Sequence, residues 1–179
     1  MAEYIIRDLT AVSCFLPYGL VAGVITYIVL KVVNKNRITK EKQPLSVAAL
    51  TAFVTYLVIV LCITFWSRES GESTGIDLKL GSTWAINNRN KAFVIENILL
   101  FIPYGIVAPW AFLSQRDWFS NILLGLITST GIECMQLLTG KGFFQLDDIL
   151  TNTLGMMVGY IVFSICNNLY RIRRSNIHA

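Results

Sequence analysis

Residues 45–66, LSVAALTAFVTYLVIVLCITFW, form an unbroken apolar run that contains no Asp, Glu, Lys or Arg. An α-helix needs about 20 apolar residues to cross the ~30 Å hydrocarbon core of a bilayer, and this run is long enough. Lipid offers the backbone no hydrogen-bonding partner, so a spanning segment must satisfy its polar groups internally, as a helix does. The run therefore predicts a transmembrane helix.

Four more apolar runs of similar length predict four more transmembrane helices. The first of them is too long for the apolar core of a signal peptide, and no small-x-small cleavage site follows it, so we expect it to be retained. Of the 179 residues, 54% are hydrophobic and 15% are charged, whereas soluble domains carry about 25% charged residues. The sequence thus predicts an all-α, polytopic integral membrane protein, a single membrane domain over residues 1–179, with transmembrane helices at 10–30, 45–66, 92–113, 118–138 and 149–170.

The net charge of +4 does not indicate nucleic-acid binding, because the basic residues lie in short segments between the apolar runs and form no face interleaved with aromatic residues. The cysteines all lie inside apolar runs, and no pair of them has CxxC or metal-ligand spacing. We therefore expect membrane lipid as a partner, no nucleic acid and no cofactor. We predict that all four are ordinary buried thiols: Cys14, Cys62, Cys134 and Cys166.

The distribution of Lys and Arg predicts the orientation of the chain, because cytoplasmic loops carry an excess of both. With the N-terminus outside, the cytoplasmic segments hold nine of these residues and the outer segments hold six. Five of the nine lie in the connector after the first helix: Lys31, Lys35, Arg37, Lys40 and Lys42. The sequence therefore predicts an N-terminus outside, a cytoplasmic C-terminus and an extracytoplasmic loop at residues 67–91, which is a candidate lid.

A strongly polar stretch, from Glu133 to Asn152, interrupts the two apolar runs that flank it. In the predicted topology this stretch lies at the outer ends of the fourth and fifth helices. The third helix runs inward, so its first residues lie at the same depth. A carboxylate at the bilayer centre costs ~2.5–3.5 kcal/mol, so such groups face the protein interior or a water-filled cavity. We predict a polar cleft on the extracytoplasmic side, formed by Glu96, Asn97, Glu133, Gln136, Lys141, Asp147, Asp148 and Asn152.

Helical spacing predicts which of these side chains share a face. Glu133 and Gln136 are three residues apart, and Asp148 and Asn152 are four apart, so each pair lies on one helix face. Because Asp147 lies about 100° from Asp148 around a helix, we expect Asp148 to face the cleft and Asp147 to cap the helix or meet solvent. Two alternatives stay open, that both aspartates only cap the helix start and that the glutamates only reach interfacial water.

Glycines and a proline indicate how two of the helices pack. Gly155 and Gly159 have a GxxxG spacing on the fifth helix, which lets another helix approach closely. Pro103 and Gly105 predict a kink in the third helix, since proline removes a backbone donor and clashes with the preceding turn.

Several of these polar residues, together with Pro103 and the glycines, form motifs that resemble those of a known family. Three separated motifs are similar in order and spacing to those of the VanZ-like family: Asn97-Ile-Leu-Leu-Phe-Ile-Pro103-Tyr-Gly105, then Glu133-x-x-Gln136, then Phe144-x-x-Asp147-Asp148-x-x-x-Asn152-x-x-Gly155-x-x-x-Gly159. The resemblance covers residues 93–160 and departs from the family pattern at Lys141, where Arg is common, and at Gln145, where an acid is common. It implies a multi-pass protein of the bacterial cell membrane, associated with resistance to glycopeptide antibiotics, teicoplanin in particular.

Two classes of function follow. The first is binding of an amphiphile at the outer leaflet, either a lipoglycopeptide or a lipid-linked wall precursor. The second is a membrane enzyme that modifies such a lipid with a carboxylate as general base. The sequence has no GxSxG, HExxH or P-loop motif, and its single histidine, His178, lies in a basic tail, so binding is favoured. The carboxylates could hold a divalent cation, but such groups more often bond one another, and we expect no metal.

Overall fold

The structure is a computed structural model that describes residues 12–66 and 75–177, together with Glu3, Ile6 and Thr10. The predicted loop residues 67–74 and His178 lie outside the described residues. Within these described residues, five helices are long and apolar enough to cross a membrane, which confirms the prediction of an all-α chain. They are α1 (Leu16–Thr39), α2 (Val47–Trp66), α3 (Asn88–Ala111), α4 (Trp118–Leu138) and α5 (Leu146–Ile177).

α2 and α4 match their predicted spans to within two residues, whereas the other three helices differ from theirs. α1 begins later than predicted and continues to Thr39, α3 begins and ends earlier, and α5 extends past its predicted span at both ends. Side-chain caps mark the starts of α3 and α4. The Asn87 side chain accepts a hydrogen bond from the backbone N–H of Asn90 at the start of α3. Asp117 accepts one from Ser120 N at 2.9 Å at the start of α4. α5 has 32 residues and is about 48 Å long, so its length exceeds the ~30 Å thickness of the hydrocarbon core.

The closest helix contact in the bundle is between α3 and α5, and it is made by glycines. A Cβ added at Gly155 would overlap the carbonyl oxygen of Ile98, and one added at Gly159 would overlap that of Ile102. A Cβ at Gly105 on α3 would overlap the backbone oxygen of Met156. The absence of side chains at these three positions lets the two backbones touch.

The apolar core lies among α2, α3, α4 and α5, whereas α1 is peripheral. Tyr104 of α3 packs on Phe53 of α2 with ring centroids 5.6 Å apart, and Met156 of α5 is fully buried against the same cluster. α1 contacts α2 through Gly19 and Gly23, while most of its apolar side chains remain exposed. Exposed apolar faces are expected of helices whose solvent is lipid.

One end of the bundle, which we call the loop end, gathers the C-terminus of α2, the start of α3, the C-terminus of α4 and the start of α5. A two-residue strand, β1 (Ile76–Asp77), pairs in parallel with β2 (Phe144–Gln145), which immediately precedes α5. A short helix, Ser82–Ile86, which we call the loop helix, follows β1. The described part of the 67–91 loop is therefore joined to the turn between α4 and α5.

Candidate functional site

The polar residues predicted from the sequence concentrate at the loop end, and most of them are buried. Glu133 and Gln136 are each 1% exposed, Asn152 is 4% exposed and Asp148 is 5% exposed. We call the set Glu133, Gln136, Lys141, Asp147, Asp148 and Asn152 the polar layer. It occupies the ends of α4 and α5 and the turn between them, among helices whose other buried residues are mainly apolar.

Asp147 connects the loop helix to the start of α5 through two hydrogen bonds. Its Oδ1 accepts a hydrogen bond from Gly81 N at 2.8 Å, and its Oδ2 accepts one from Thr83 N at 2.9 Å. These N–H groups belong to the first turn of the loop helix, which no side chain of its own caps. Gly81 has φ of +76°, a left-handed conformation that glycine adopts without strain. Asp147 therefore caps a helix from more than 60 residues away in the sequence.

Asp77 stabilises the same loop from within. Its carboxylate accepts hydrogen bonds from the Ser82 hydroxyl at 2.7 Å and from Lys79 N at 3.0 Å. The Ser82 hydroxyl and then the Lys79 N–H lower the pKa of Asp77, because both bonds favour the charged carboxylate. The loop over the polar layer is thus held by two aspartates, one local and one on α5.

Glu133 of α4 binds the start of α5. Its Oε2 accepts a hydrogen bond from Gln145 N at 3.0 Å, and Gln145 is the last residue before α5 begins. The positive end of a helix dipole favours a negative group at this position. Glu133 therefore connects the C-terminal end of α4 to the start of α5.

Two side chains of the polar layer bind the last backbone carbonyls of α2. Gln136 donates from Nε2 to the carbonyl oxygen of Thr64 at 3.3 Å, and Lys141 donates from Nζ to that of Phe65 at 2.6 Å. The last four carbonyl groups of a helix have no intrahelical partner, so these contacts satisfy groups that would otherwise be exposed to lipid. The layer consequently joins α2 to the α4–α5 turn.

Asn152 connects α5 to α4 at a position one helical turn farther from the loop end than Asp148. Its Nδ2 donates to Ser129 Oγ at 2.8 Å, and Ser129 is fully buried. Ser129 was not among the predicted site residues, although it lies four residues before Glu133 and so shares its helix face. The contacts of Gly81 and Thr83 were not predicted either, because the sequence contains no local signal for them.

Glu96 and Asn97 lie about two turns into α3 and are half-buried. Asn97 donates from Nδ2 to Thr151 Oγ1 of α5 at 3.5 Å, a long contact. Six of the eight predicted residues thus lie at the ends of α4 and α5 or in the turn between them, and Asn97 contacts Thr151 of α5.

Two buried amide oxygens in the polar layer, Gln136 Oε1 and Asn152 Oδ1, have no hydrogen-bond partner among the described residues. Buried polar atoms are nearly always paired, so each such atom needs an explanation. The described residues include no group of three or more His, Cys, Asp or Glu side chains arranged to hold a metal ion.

Comparison with known proteins agrees with the motif resemblance. The VanZ/LLP1 family model matches residues 53–167, which include the whole polar layer and the α3–α5 glycine contact. The chain belongs to the VanZ/LLP1 family. The VanZ-like resemblance is therefore confirmed, and the match extends beyond residues 93–160 into α2.

One curated relative of this VanZ-like chain is Protein VanZ of Enterococcus faecium, which is 26% identical over 74 residues. The matched segment covers 41% of this chain and 45% of that protein, so the chain spans less than half of the relative's length. No solved structure matches the chain.

Proposed function

We propose that this VanZ-like chain contributes to resistance to glycopeptide antibiotics, such as teicoplanin, by binding an amphiphile at the outer leaflet of the bacterial cell membrane. The amphiphile is a lipoglycopeptide or a lipid-linked wall precursor. The observation that carries the proposal is the buried polar layer at one end of an otherwise apolar bundle. At this end of the bundle, the polar layer can contact a polar headgroup, and the adjoining apolar helix surfaces can contact an acyl chain.

A groove between α1 and α2 supports the apolar half of this proposal. It has a volume of about 280 Å³ and is lined by Leu20, Gly23, Val24, Tyr27, Thr51 and Thr55. Thr55 lies nine residues before Thr64, the α2 residue that Gln136 binds, which is about 14 Å along a helix. An acyl chain in this groove would lie at membrane depth below a headgroup at the loop end.

The alternative is an enzyme that modifies a lipid-linked envelope precursor. One observation supports this alternative: Glu133 of α4 and Asp148 of α5 are both almost fully buried, and buried carboxylates can act as a general base. A binding protein leaves its ligand chemically unchanged, whereas an enzyme converts it, so the two proposals predict different masses for the recovered ligand.

The proposal predicts that the purified chain in nanodiscs binds teicoplanin and returns it unaltered. Tryptophan fluorescence can measure binding, and mass spectrometry can measure the ligand after incubation. Vancomycin, a glycopeptide without the acyl chain, is the matched control and is expected to bind at least about tenfold more weakly, since burial of each CH₂ contributes ~0.8 kcal/mol. A changed ligand mass would replace binding with catalysis, and equal affinity for the two antibiotics would contradict acyl-chain recognition.

A further inference from the structure

The loop at residues 75–86 carries four large apolar side chains on its outer side. Each of them is more than half exposed, and no described element covers them: they are Ile76, Leu78, Leu80 and Trp84. We call this set the apolar strip. Single exposed apolar residues are ordinary on a protein surface, whereas several so close together in a loop indicate a contact with lipid or with another protein.

The polar side chains of the same loop, apart from Lys79, are less exposed than the apolar ones. Thr83 is buried, and Asp77 and Ser82 are partly buried and bond each other at 2.7 Å. A loop surrounded by water has the opposite arrangement, with polar side chains outward and large apolar ones inward. The arrangement in this loop therefore suits an apolar environment on its outer side.

Hydrogen bonds hold the loop in this orientation against the start of α5. The Phe144 N–H donates to the Gly75 carbonyl at 2.9 Å, next to the pairing of β1 with β2. At the loop helix, both oxygens of Asp147 accept N–H groups, those of Gly81 and Thr83. The strip cannot turn inward without loss of these contacts, so its exposure is a fixed feature of the fold.

The loop lies at the level where the spanning helices begin and end. Asp147, which binds the loop helix, is the second residue of α5. The last residues of α2 and α4, Trp66 and Leu138, lie at the same loop end and are also exposed. Tryptophan is enriched at the membrane–water interface, and both Trp66 and Trp84 fit that position. The apolar strip is thus at the level where the lipid-facing surfaces of α2 and α4 end.

We propose that the outer side of loop 75–86 inserts into the interfacial region of the lipid leaflet at the loop end, with the apolar strip against the acyl chains. The partner is the bilayer, because the strip carries no charged group and lies at the depth of the interface. Lys79 can keep its ammonium in water while its stem lies along the lipid, as lysine does at interfaces. The strip is a different surface from the polar layer, so the inference depends neither on a bound amphiphile nor on which leaflet meets the loop end.

Spin labels on single cysteines test the proposal in the full chain, with one copy in each nanodisc and the four native cysteines replaced. Leu78→Cys and Leu80→Cys place the label in the strip. Val21→Cys, on the exposed side of α1, is the lipid reference, and Lys42→Cys, in the connector after α1, is the water reference.

We expect the labels at positions 78 and 80 to collide more with oxygen, which dissolves in lipid, than with a water-soluble nickel chelate. Their depth should be roughly 5–10 Å below the headgroup boundary, as for interfacial segments in general. More frequent collisions with nickel at both positions would show that the strip faces water and would overturn the proposal. Protection from both reagents would also overturn it, since protein would then cover the strip.

Tryptophan quenching tests the same contact without a change in the strip. In a chain that keeps Trp84 and has Phe in place of Trp66, Trp110 and Trp118, lipids brominated near the headgroup should quench the fluorescence more than lipids brominated near the chain end. The thermal midpoint of this variant, compared with that of wild type, shows whether it folds. Quenching by aqueous acrylamide but by neither lipid would contradict insertion, and stronger quenching by the deeper bromines would contradict the interfacial depth.

Discussion

Alanine at Gly155 or Gly159 is expected to destabilise the protein by about 1–3 kcal/mol, because overpacking a closely packed contact forces the surrounding structure to shift. The Cβ at each position would overlap a backbone oxygen of α3, that of Ile98 or that of Ile102. A backbone oxygen cannot rotate away as a side chain can, so α3 and α5 must separate. The separation would also loosen the polar layer, because α5 carries Asp147, Asp148 and Asn152 at its loop end.

The matched control for both variants is Gly131→Ala on α4. No described atom lies within 4 Å of a Cβ built at Gly131, and alanine favours a helix over glycine by about 1 kcal/mol. We therefore expect this change to be neutral or slightly stabilising. The measurement is the thermal midpoint of each purified variant in detergent, with its membrane level recorded. Equal midpoints for Gly155→Ala, Gly159→Ala and Gly131→Ala would contradict the close α3–α5 contact.

Glu133→Gln and Asp148→Asn are each expected to abolish the proposed resistance while leaving membrane levels near those of wild type. Both substitutions keep the size and hydrogen-bonding capacity of the side chain and remove its charge. The Gln145 N–H can still donate to the amide oxygen of a glutamine at position 133, so the α4–α5 contact should persist. What disappears is the negative charge, which a bound headgroup would contact in our proposal.

Asp117→Asn is the control for this loss of function. Asp117 is an exposed carboxylate at the opposite end of the bundle, where it caps α4 through Ser120 N. Asparagine is an equally good N-cap, so the variant should keep both stability and function. The readout is the teicoplanin concentration that inhibits growth of a susceptible strain expressing each variant, with immunoblots of the membrane fraction. Wild-type resistance in both neutral variants would mean that the carboxylates act only as structural partners.

The helices and their closest contact were predictable because local sequence determines them. Apolar runs of sufficient length indicate spanning helices whatever their neighbours, and the GxxxG pattern at Gly155 and Gly159 marks a face that can approach another backbone. The polar layer could be predicted at the level of depth, since the topology of α4 and α5 places Glu133, Gln136 and Asp148 at one end of the bundle.

The partners within the layer were not predictable from local pattern. Asp147 binds N–H groups of Gly81 and Thr83, more than 60 residues earlier, and a backbone amide gives no side-chain signal of its role. From helical spacing, Asp147 was expected to cap the start of its own helix or to meet solvent. In the structure it is buried and caps a different helix, because the loop folds back over the start of α5. Lys141 similarly binds the Phe65 carbonyl of α2, a contact that depends on tertiary packing.

The central claim is that the polar layer lies at the extracytoplasmic end of the bundle, and cysteine labelling in intact cells tests it most directly. Single cysteines at Lys79, Lys35 and Ser175, all exposed, can be introduced into a background that lacks the four native cysteines. An impermeant thiol reagent should label Lys79→Cys in intact cells, and Lys35→Cys and Ser175→Cys only after lysis. Labelling of Lys35→Cys in intact cells, with Lys79→Cys protected until lysis, would place the polar layer in the cytoplasm and contradict the account.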